Sequence, residues 1–315
     1  FQSLFKRNKI KSDIIILTDK KRPFNIQPKG IEAHDQIFKI KGIELSVDWN
    51  NIKKTISFLS KYDILLHTTA CVHNNKSAWL AVYAKAKKNV VILSDIYWND
   101  FYPYFDDAQP FISSYIATNR AVARFLKESK GIVAEELIHP FIWQKQPKNK
   151  EKIVVWTNQW RNWKGIGHFI RKAGKINANI HLFGGGREYY NFKDKLSPNC
   201  KYFGFVSPDR INEEYSKVMF SVDLTGQSKK YYGHYNRTTI EPMFYNCISV
   251  ANEKIIEPYS FIPKDCVLRV NKDNFFDKIN ELLENENRRK EITKNAFEWA
   301  KNKYQDKFIL KQIIG

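Results

Sequence analysis

Short β-branched runs alternate with helical stretches along this chain, and that alternation restricts the fold more than any single motif. In the first half, DIIILT (13–18), YDILLH (62–67) and NVVILSD (89–95) read as strands that end in polar residues. NNIKKTISFLSKY (50–62) and SAWLAVYAKAKK (77–88) carry helical spacing, and YIATNRAVARFLKESKG (115–131) reads as a strand end and a helix stopped at Gly131. Repetition of this kind builds parallel sheets covered on both faces. WQKQPKNK (143–150) is polar, holds a proline and lacks periodicity, so it reads as a linker. The alternation restarts with KIVVWT (152–157), ANIHLFGG (178–185), CKYFGFV (200–206), MFSVDLT (219–225), CISVAN (247–252) and DCVLRV (265–270). From Asp273 to Ile314 the tail is helical, with Phe276, Ile279, Leu282 and Leu283 on one apolar stripe and Ala296, Trp299 and Ala300 on a later one. The expected architecture is α/β, two doubly wound domains facing a central cleft where the carboxyl ends of both sheets converge.

Charge narrows the partners. Lys and Arg number 52 against 33 Asp and Glu, a formal net charge of +19. Such a balance fits a polyanionic partner: nucleic acid, an anionic membrane surface or acidic glycans. Codon bias toward Lys, Asn and Ile in an AT-rich genome accounts for part of it. No apolar run approaches the roughly 18–20 residues needed to span a bilayer. The opening FQSLFKRNKIKSD does not read as a signal peptide, and Phe1 does not read as a native start. Cys71, Cys200, Cys247 and Cys266 are scattered without a CxxC pair, as expected of reduced thiols in a cytoplasmic protein.

Three constellations stand at strand ends, where chemistry belongs in open α/β folds. WTNQWRNWKGIGHF (156–169) follows the strand KIVVW and precedes a helical run. A strand-to-helix turn presents backbone N–H groups and a positive helix end, and Arg161 and Lys164 add full charges there. NRTTIEPMFYNCISVAN (236–252) places Arg237, Thr238 and Thr239 at a helix start and Glu241 in its first turn. Backbone N–H groups there suit a phosphate and the carboxylate suits a sugar diol; a helix cap and a dipole partner are the alternative. HLFGGGREYY (181–190) resembles a phosphate loop but has neither GxGxxG nor GxxxxGK[ST], so a glycine turn joining strand to helix accounts for it. Asp223 ends a strand and is either structural or ligand-facing. In the first half, Asp95 and His67 end strands and His73 follows in a loop, each a candidate catalytic or sugar-binding group.

The ordered landmarks K-G (Lys164, Gly165), G-G-G, FGFVSPDRI and TIEPMFYNCISVAN resemble the donor domain of retaining family 4 glycosyltransferases with the GT-B fold, two Rossmann-like domains. TIEPMFYNCISVAN parallels that family's L-E-A-M-A-x-G-x-P-V-V-A, which implies ribose binding by Glu241. WTNQWRNWKGI is also similar to W-x-G-R-x-x-x-W-K-G-F, the donor loop of phage DNA α-glucosyltransferases that modify 5-hydroxymethylcytosine. INEEYSKVMFSV and RTTIE resemble the segments that follow there. The likeness covers roughly residues 152–252; the first domain matches in layout, with Asp95 at the strand-end aspartate that faces the donor sugar. Three departures stand out. Gln159 occupies the position of the diphosphate-binding arginine, leaving Arg161 to supply that charge. Gly233, followed by His234, replaces the first carboxylate of the E-x7-E motif. LTDKKRPFN stands where a glycine-rich loop follows the first strand.

The resemblance implies an acceptor domain over 1–146, joined by the C-terminal helix 300–315, and a nucleotide-sugar donor domain over 147–299. It implies retaining, metal-independent transfer from a UDP-sugar, UDP-glucose first, to a hydroxymethylated pyrimidine in double-stranded DNA, with no tightly bound cofactor. The expected location is the cytoplasm, that of the host bacterium if the chain is phage-encoded. Asp95, Lys164 and Arg161 are the expected catalytic residues. Gln159, Gly165, Gly185, His234, Arg237, Thr238, Thr239 and Glu241 are the expected donor-binding residues. His67, His73, Lys20, Lys21, Arg22, Trp98 and Tyr102 are expected on the DNA side, with Lys6, Arg7, Lys9, Lys11, Lys85, Lys87 and Lys88 as further phosphate contacts. Two rivals stay open: a surface-polysaccharide transferase acting on a lipid-linked acceptor, and a non-catalytic nucleic-acid-binding protein on a transferase scaffold.

Overall fold

A computed structural model describes residues 5–6, 8–12, 15–19, 43–47, 53–69, 86–93, 113–117, 120–136, 149–186, 188–225, 237–253 and 262–314. Strands β1 (Ile15–Asp19) and β2 (Ile43–Val47) pair in parallel. A second parallel sheet takes β3 (Ile64–Thr69), β4 (Lys88–Leu93), β5 (Ser114–Ala117) and β6 (Glu135–Glu136) in chain order. The third sheet holds β7 (Glu151–Trp156), β8 (Asn179–Phe183), β9 (Cys200–Gly204), β10 (Val218–Asp223), β11 (Ile248–Asn252) and β12 (Leu268–Val270). Its order is β12-β11-β10-β7-β8-β9, every pairing parallel.

The described helices are α1 (Lys53–Leu59), α2 (Arg120–Lys130), α3 (Ile166–Ala173), α4 (Tyr189–Phe192), α5 (Pro208–Lys217), α6 (Arg237–Ile240), α7 (Phe275–Glu284), α8 (Glu286–Lys303) and α9 (Asp306–Ile314). Two of these boundaries show their local cause plainly. Gly131, at φ 66°, follows α2. Ser207 caps α5, its Oγ accepting from Arg210 N at 3.3 Å, and Pro208 occupies the first turn without needing a donor.

Strand β7 shows why the third sheet is buried on both faces. Ile153 and Val155 enter one apolar cluster, while Val154 and Trp156 enter the other. The chain starts at β7, winds outward to β9, then returns to place β10 against β7. The winding direction therefore reverses between β7 and β10, and a crevice opens outside their carboxyl ends.

Two strands escaped the sequence reading. β2 (IELSV) alternates apolar and polar residues rather than forming a continuous apolar run, and β6 has only two residues, both glutamates. The expected helix over 77–88 lies almost wholly outside the described residues. The tail is three helices rather than one. Asn285 leaves helical geometry (φ −106°, ψ 82°) and its side chain accepts from Arg288 N at 3.0 Å, starting α8. A second break falls at Tyr304 and Gln305, after which Ile309 and Ile313 of α9 pack with Val90 and Ile116 of the second sheet. Ala300, by contrast, lies in the third sheet's core.

The apolar stripe of α7 holds at Ile279, Leu282 and Leu283 and differs only at its first residue. Phe275, not Phe276, is fully buried and stacks on Phe169 at 5.7 Å. Phe276 lies at the rim between the ammonium groups of Lys172 and Lys175, 5.2 and 5.1 Å from its ring. Phe275→Ala should therefore cost about 3–5 kcal/mol in denaturant unfolding. Phe276→Ala should cost well under half of that.

Candidate active site

The end of β7 is held by its tryptophans. Trp156 and Trp160 are both fully buried, Trp156 Nε1 donating to Asn158 O at 3.1 Å and Trp160 Nε1 to Phe183 O at 3.2 Å. Burial on this scale is usual for indole only where its N–H finds an acceptor. Trp160 also meets Tyr189 and Tyr202 edge-on, at 5.5 and 5.1 Å, and those two rings stack at 4.5 Å. Trp156 and Trp160 thus frame this turn from within the core.

The glycine run serves this loop. Gly184 has φ 88°, and a Cβ there would lie 2.5 Å from Asn158 O. At Gly186 (φ 150°) a Cβ would meet Trp160 O at 2.6 Å, and Trp160 N donates to Gly185 O at 2.9 Å. The loop backbone of 158–160 thus lies where side chains on β8's exit would stand. Gly185 itself faces the Phe205 ring.

Lys164 closes a 3₁₀ turn (Asn162–Lys164) and is 4% exposed, its ammonium 4.3 Å from the centre of the Trp163 ring. Gly165 follows at φ 84°, against Leu224. Gln159 and Arg161, by contrast, are exposed. A nearly buried cation at the crevice is the strongest electrostatic feature of the loop.

Across the crevice, Asp223 ends β10 with no exposed surface. Its Oδ1 accepts from Thr225 N at 3.0 Å and Thr225 Oγ1 at 2.6 Å. Its Oδ2 accepts from Thr238 Oγ1 at 2.8 Å and Thr239 Oγ1 at 3.0 Å. The hydroxyl protons of Thr238 and Thr239 are thereby spent on Asp223. Asp223 is thus an anchor for α6 within this structure.

Glu241 follows on the 3₁₀ turn Glu241–Tyr245 and forms an ion pair with Arg237, which is itself mostly exposed. Tyr215 and Tyr245 flank it. Burial and the nearby Glu241 carboxylate hold the Tyr215 phenol well above its ordinary value and push that of Tyr245 up to about 12, so both stay protonated. Tyr215 Oη lies 2.7 Å from Thr157 Oγ1, joining α5 to the end of β7.

Lys150, read from sequence as the end of a linker, is a clamp. Its Nζ donates to Tyr215 O at 2.7 Å, Ser216 O at 2.9 Å and Tyr245 O at 2.5 Å, capping the last turns of α5 and of the Glu241 turn. No local pattern announces such a contact, because its three acceptors are distant in sequence.

Asp95, His73, His234, Lys20, Lys21, Arg22, Trp98 and Tyr102 lie outside the described residues, as do Gly233, Arg7 and Lys85. His67, expected at a strand end, lies within β3 opposite Val91 of β4, because the strand runs two residues further to Thr69. Lys87 pairs with Asp63 at 2.7 Å. Lys6, Lys9 and Lys11 are exposed. Cys200, Cys247 and Cys266 are free thiols, the last two buried. No described helix is long and apolar enough to cross a membrane.

The third sheet is a doubly wound parallel sheet with Lys164, Glu241 and the start of α6 near its switch point, where ligands bind in folds of this kind, and the architecture is that of the GT-B fold. Residues 139–299, just over half of the chain, match the family described as glycosyl transferases group 1. The chain belongs to that family. Solved structures share its fold at low identity. An α-glucosyltransferase in complex with UDP and DNA containing an HMU base is 14% identical, with a TM-score of 0.69 over 99% of this chain and 92% of that one. Anabaena HepE in complex with UDP and glucose is 15% identical, with a TM-score of 0.67 over 86% and 85%. S. aureus TarM, in complex with fondaparinux, α-GlcNAc-glycerol and UDP, is 17% identical, with a TM-score of 0.63 over 82% and 57%. The chain thus spans little more than half the length of TarM. No curated protein matches it significantly in sequence.

Two outcomes test this geometry. Gly184→Ala must push Asn158 O away or abandon φ 88°, a strain of about 1–3 kcal/mol. It should lower the melting temperature by a few degrees, read by thermal unfolding. The second concerns Lys150, whose burial lowers its pKa from 10.5 to about 8. Between those values the folded chain has lost a proton that the unfolded chain keeps. Stability from this group therefore rises with pH from about 8 to 10.5. The difference in unfolding free energy between wild type and Lys150→Met should grow in that window.

Proposed function

We propose that the chain is a DNA-modifying glycosyltransferase that moves a sugar from a UDP-sugar to a hydroxymethylated pyrimidine. The observation that carries the donor half of this reading is Lys164, a buried cation at the switch point between β7 and β10. It neutralises charge that builds on the diphosphate as the bond from the sugar's anomeric carbon to the phosphate oxygen breaks. Such electrostatic stabilisation is usually the largest single contribution in a transfer site. The backbone N–H groups of Thr238 and Thr239 assist, Arg161 lends charge from the loop surface, and Glu241 exchanges Arg237 for the ribose hydroxyls. The acceptor hydroxyl attacks from the face that the diphosphate leaves, giving retention, with Asp95 orienting sugar or acceptor.

Support for a DNA acceptor comes from the net charge of +19 and from the likeness to the DNA-bound α-glucosyltransferase, which extends along nearly the whole of both chains. A base within a duplex cannot reach a crevice of this kind, so the target is flipped out at a cost of a few kcal/mol. The acceptor unit is assigned to residues 1–146 with the last helix, and the donor unit to 147–299. TarM, whose structure holds fondaparinux and α-GlcNAc-glycerol beside UDP, favours a second reading, transfer to a glycan, which shares the donor chemistry.

The test offers UDP-glucose and other UDP-sugars with hydroxymethylated DNA, unmodified DNA and glycan acceptors, and weighs the digested nucleosides. A mass gain of one sugar on the hydroxymethylated base is expected. Transfer to glycan alone overturns the DNA reading, and DNA binding without transfer from any UDP-sugar overturns the enzymatic one. Lys164→Ala should lower transfer by about 100-fold or more. DNA binding and its salt dependence should stay near wild type.

A further inference from the structure

We infer that Asn158 is a donor-binding residue whose side-chain amide contacts the diphosphate of the sugar nucleotide. The inference rests on the donor reading above and adds to it a residue that supplies hydrogen bonding where Gln159 and Arg161 face solvent.

Asn158 is 5% exposed, yet its Nδ2 has no hydrogen-bond partner. A buried amide without partners costs about 1–3 kcal/mol, and buried polar groups in native folds are nearly always satisfied. The cost is concentrated two residues beyond the end of β7, beside the reversal of winding where ligands bind in such sheets.

The surrounding bonds fix the amide without using it up. Asn158 O accepts from Trp156 Nε1 at 3.1 Å and abuts Gly184, so the backbone cannot swing to relieve the side chain. Thr238 Oγ1 lies 3.3 Å from Asn158 Oδ1 and 2.8 Å from Asp223 Oδ2. Thr238 has one hydroxyl proton, and the nearer, charged acceptor takes it. If the amide is turned about, its NH₂ donates to the Thr238 oxygen, and its second N–H still lacks an acceptor. In either orientation a donor is left over, on the same polar layer as the Thr238 backbone. A diphosphate oxygen is a strong acceptor that such an unspent N–H at the end of β7 would take.

The experiment compares UDP with UMP by isothermal titration on the full chain. Asn158→Ala should weaken UDP by roughly 10- to 100-fold while UMP, which lacks the second phosphate, changes much less. Asn158→Asp keeps the shape and both oxygen positions that could serve Thr238 but puts a carboxylate where an N–H donated. It should weaken UDP at least as much as Asn158→Ala, and partly recover at acidic pH. Equal losses of UDP and UMP in both variants, or an unchanged UDP affinity in either folded variant, would overturn the inference and leave Asn158 a support for the loop. Wild-type protein that binds neither nucleotide would instead sink the donor reading from which the inference starts.

Discussion

Everything at the switch point hangs on a carboxylate that no solvent reaches. Asp223 collects one backbone and three hydroxyl donors, from Thr225, Thr238 and Thr239, and so ties the end of β10 to the first turn of α6. Each hydrogen bond to a charged acceptor contributes about 1.5–3 kcal/mol, and losing one partner would leave buried charge uncompensated. α6 is only four residues long and could not hold its place by its own hydrogen bonding. Glu241 inherits its position from that tether, because it begins the next turn.

The other wall of the crevice is fixed by shape rather than charge. Two indoles bury themselves behind the loop, and the glycines after β8 leave room for its carbonyl groups. The consequence for chemistry is preorganisation. Groups locked before the ligand arrives lose little freedom on binding, so more of the interaction energy is realised as affinity or rate.

Much of this was legible in the sequence because parallel sheets write themselves as apolar runs. Runs such as KIVVW and CISV marked buried strands, and their polar exits marked the crevice, so Lys164, Thr238 and Glu241 could be picked out by position. What sequence could not show was how hydroxyls and carboxylates are shared. RTTIE reads equally well as an anion site or a capped helix, and neither reading foretells that the hydroxyls go to Asp223, 15 residues earlier than Thr238. Asn158 carries no helical or strand periodicity to flag it, and Lys150 looked like the end of a polar linker. The shift from Phe276 to Phe275 has a similar origin: with two adjacent phenylalanines at a helix start, periodicity alone cannot choose which ring turns inward.

The path of the chain has a mechanical corollary. It passes from the second sheet to the third before β7 and returns at Tyr304–Asp306, so the two sheets are joined by two strands of backbone rather than one. Both crossings are pinned on the third-sheet side: the first by Lys150, gripping three carbonyl groups, and the second by Tyr304, buried against Phe244 and Trp299. Two pinned crossings hold the two sheets to each other more narrowly than a single linker would.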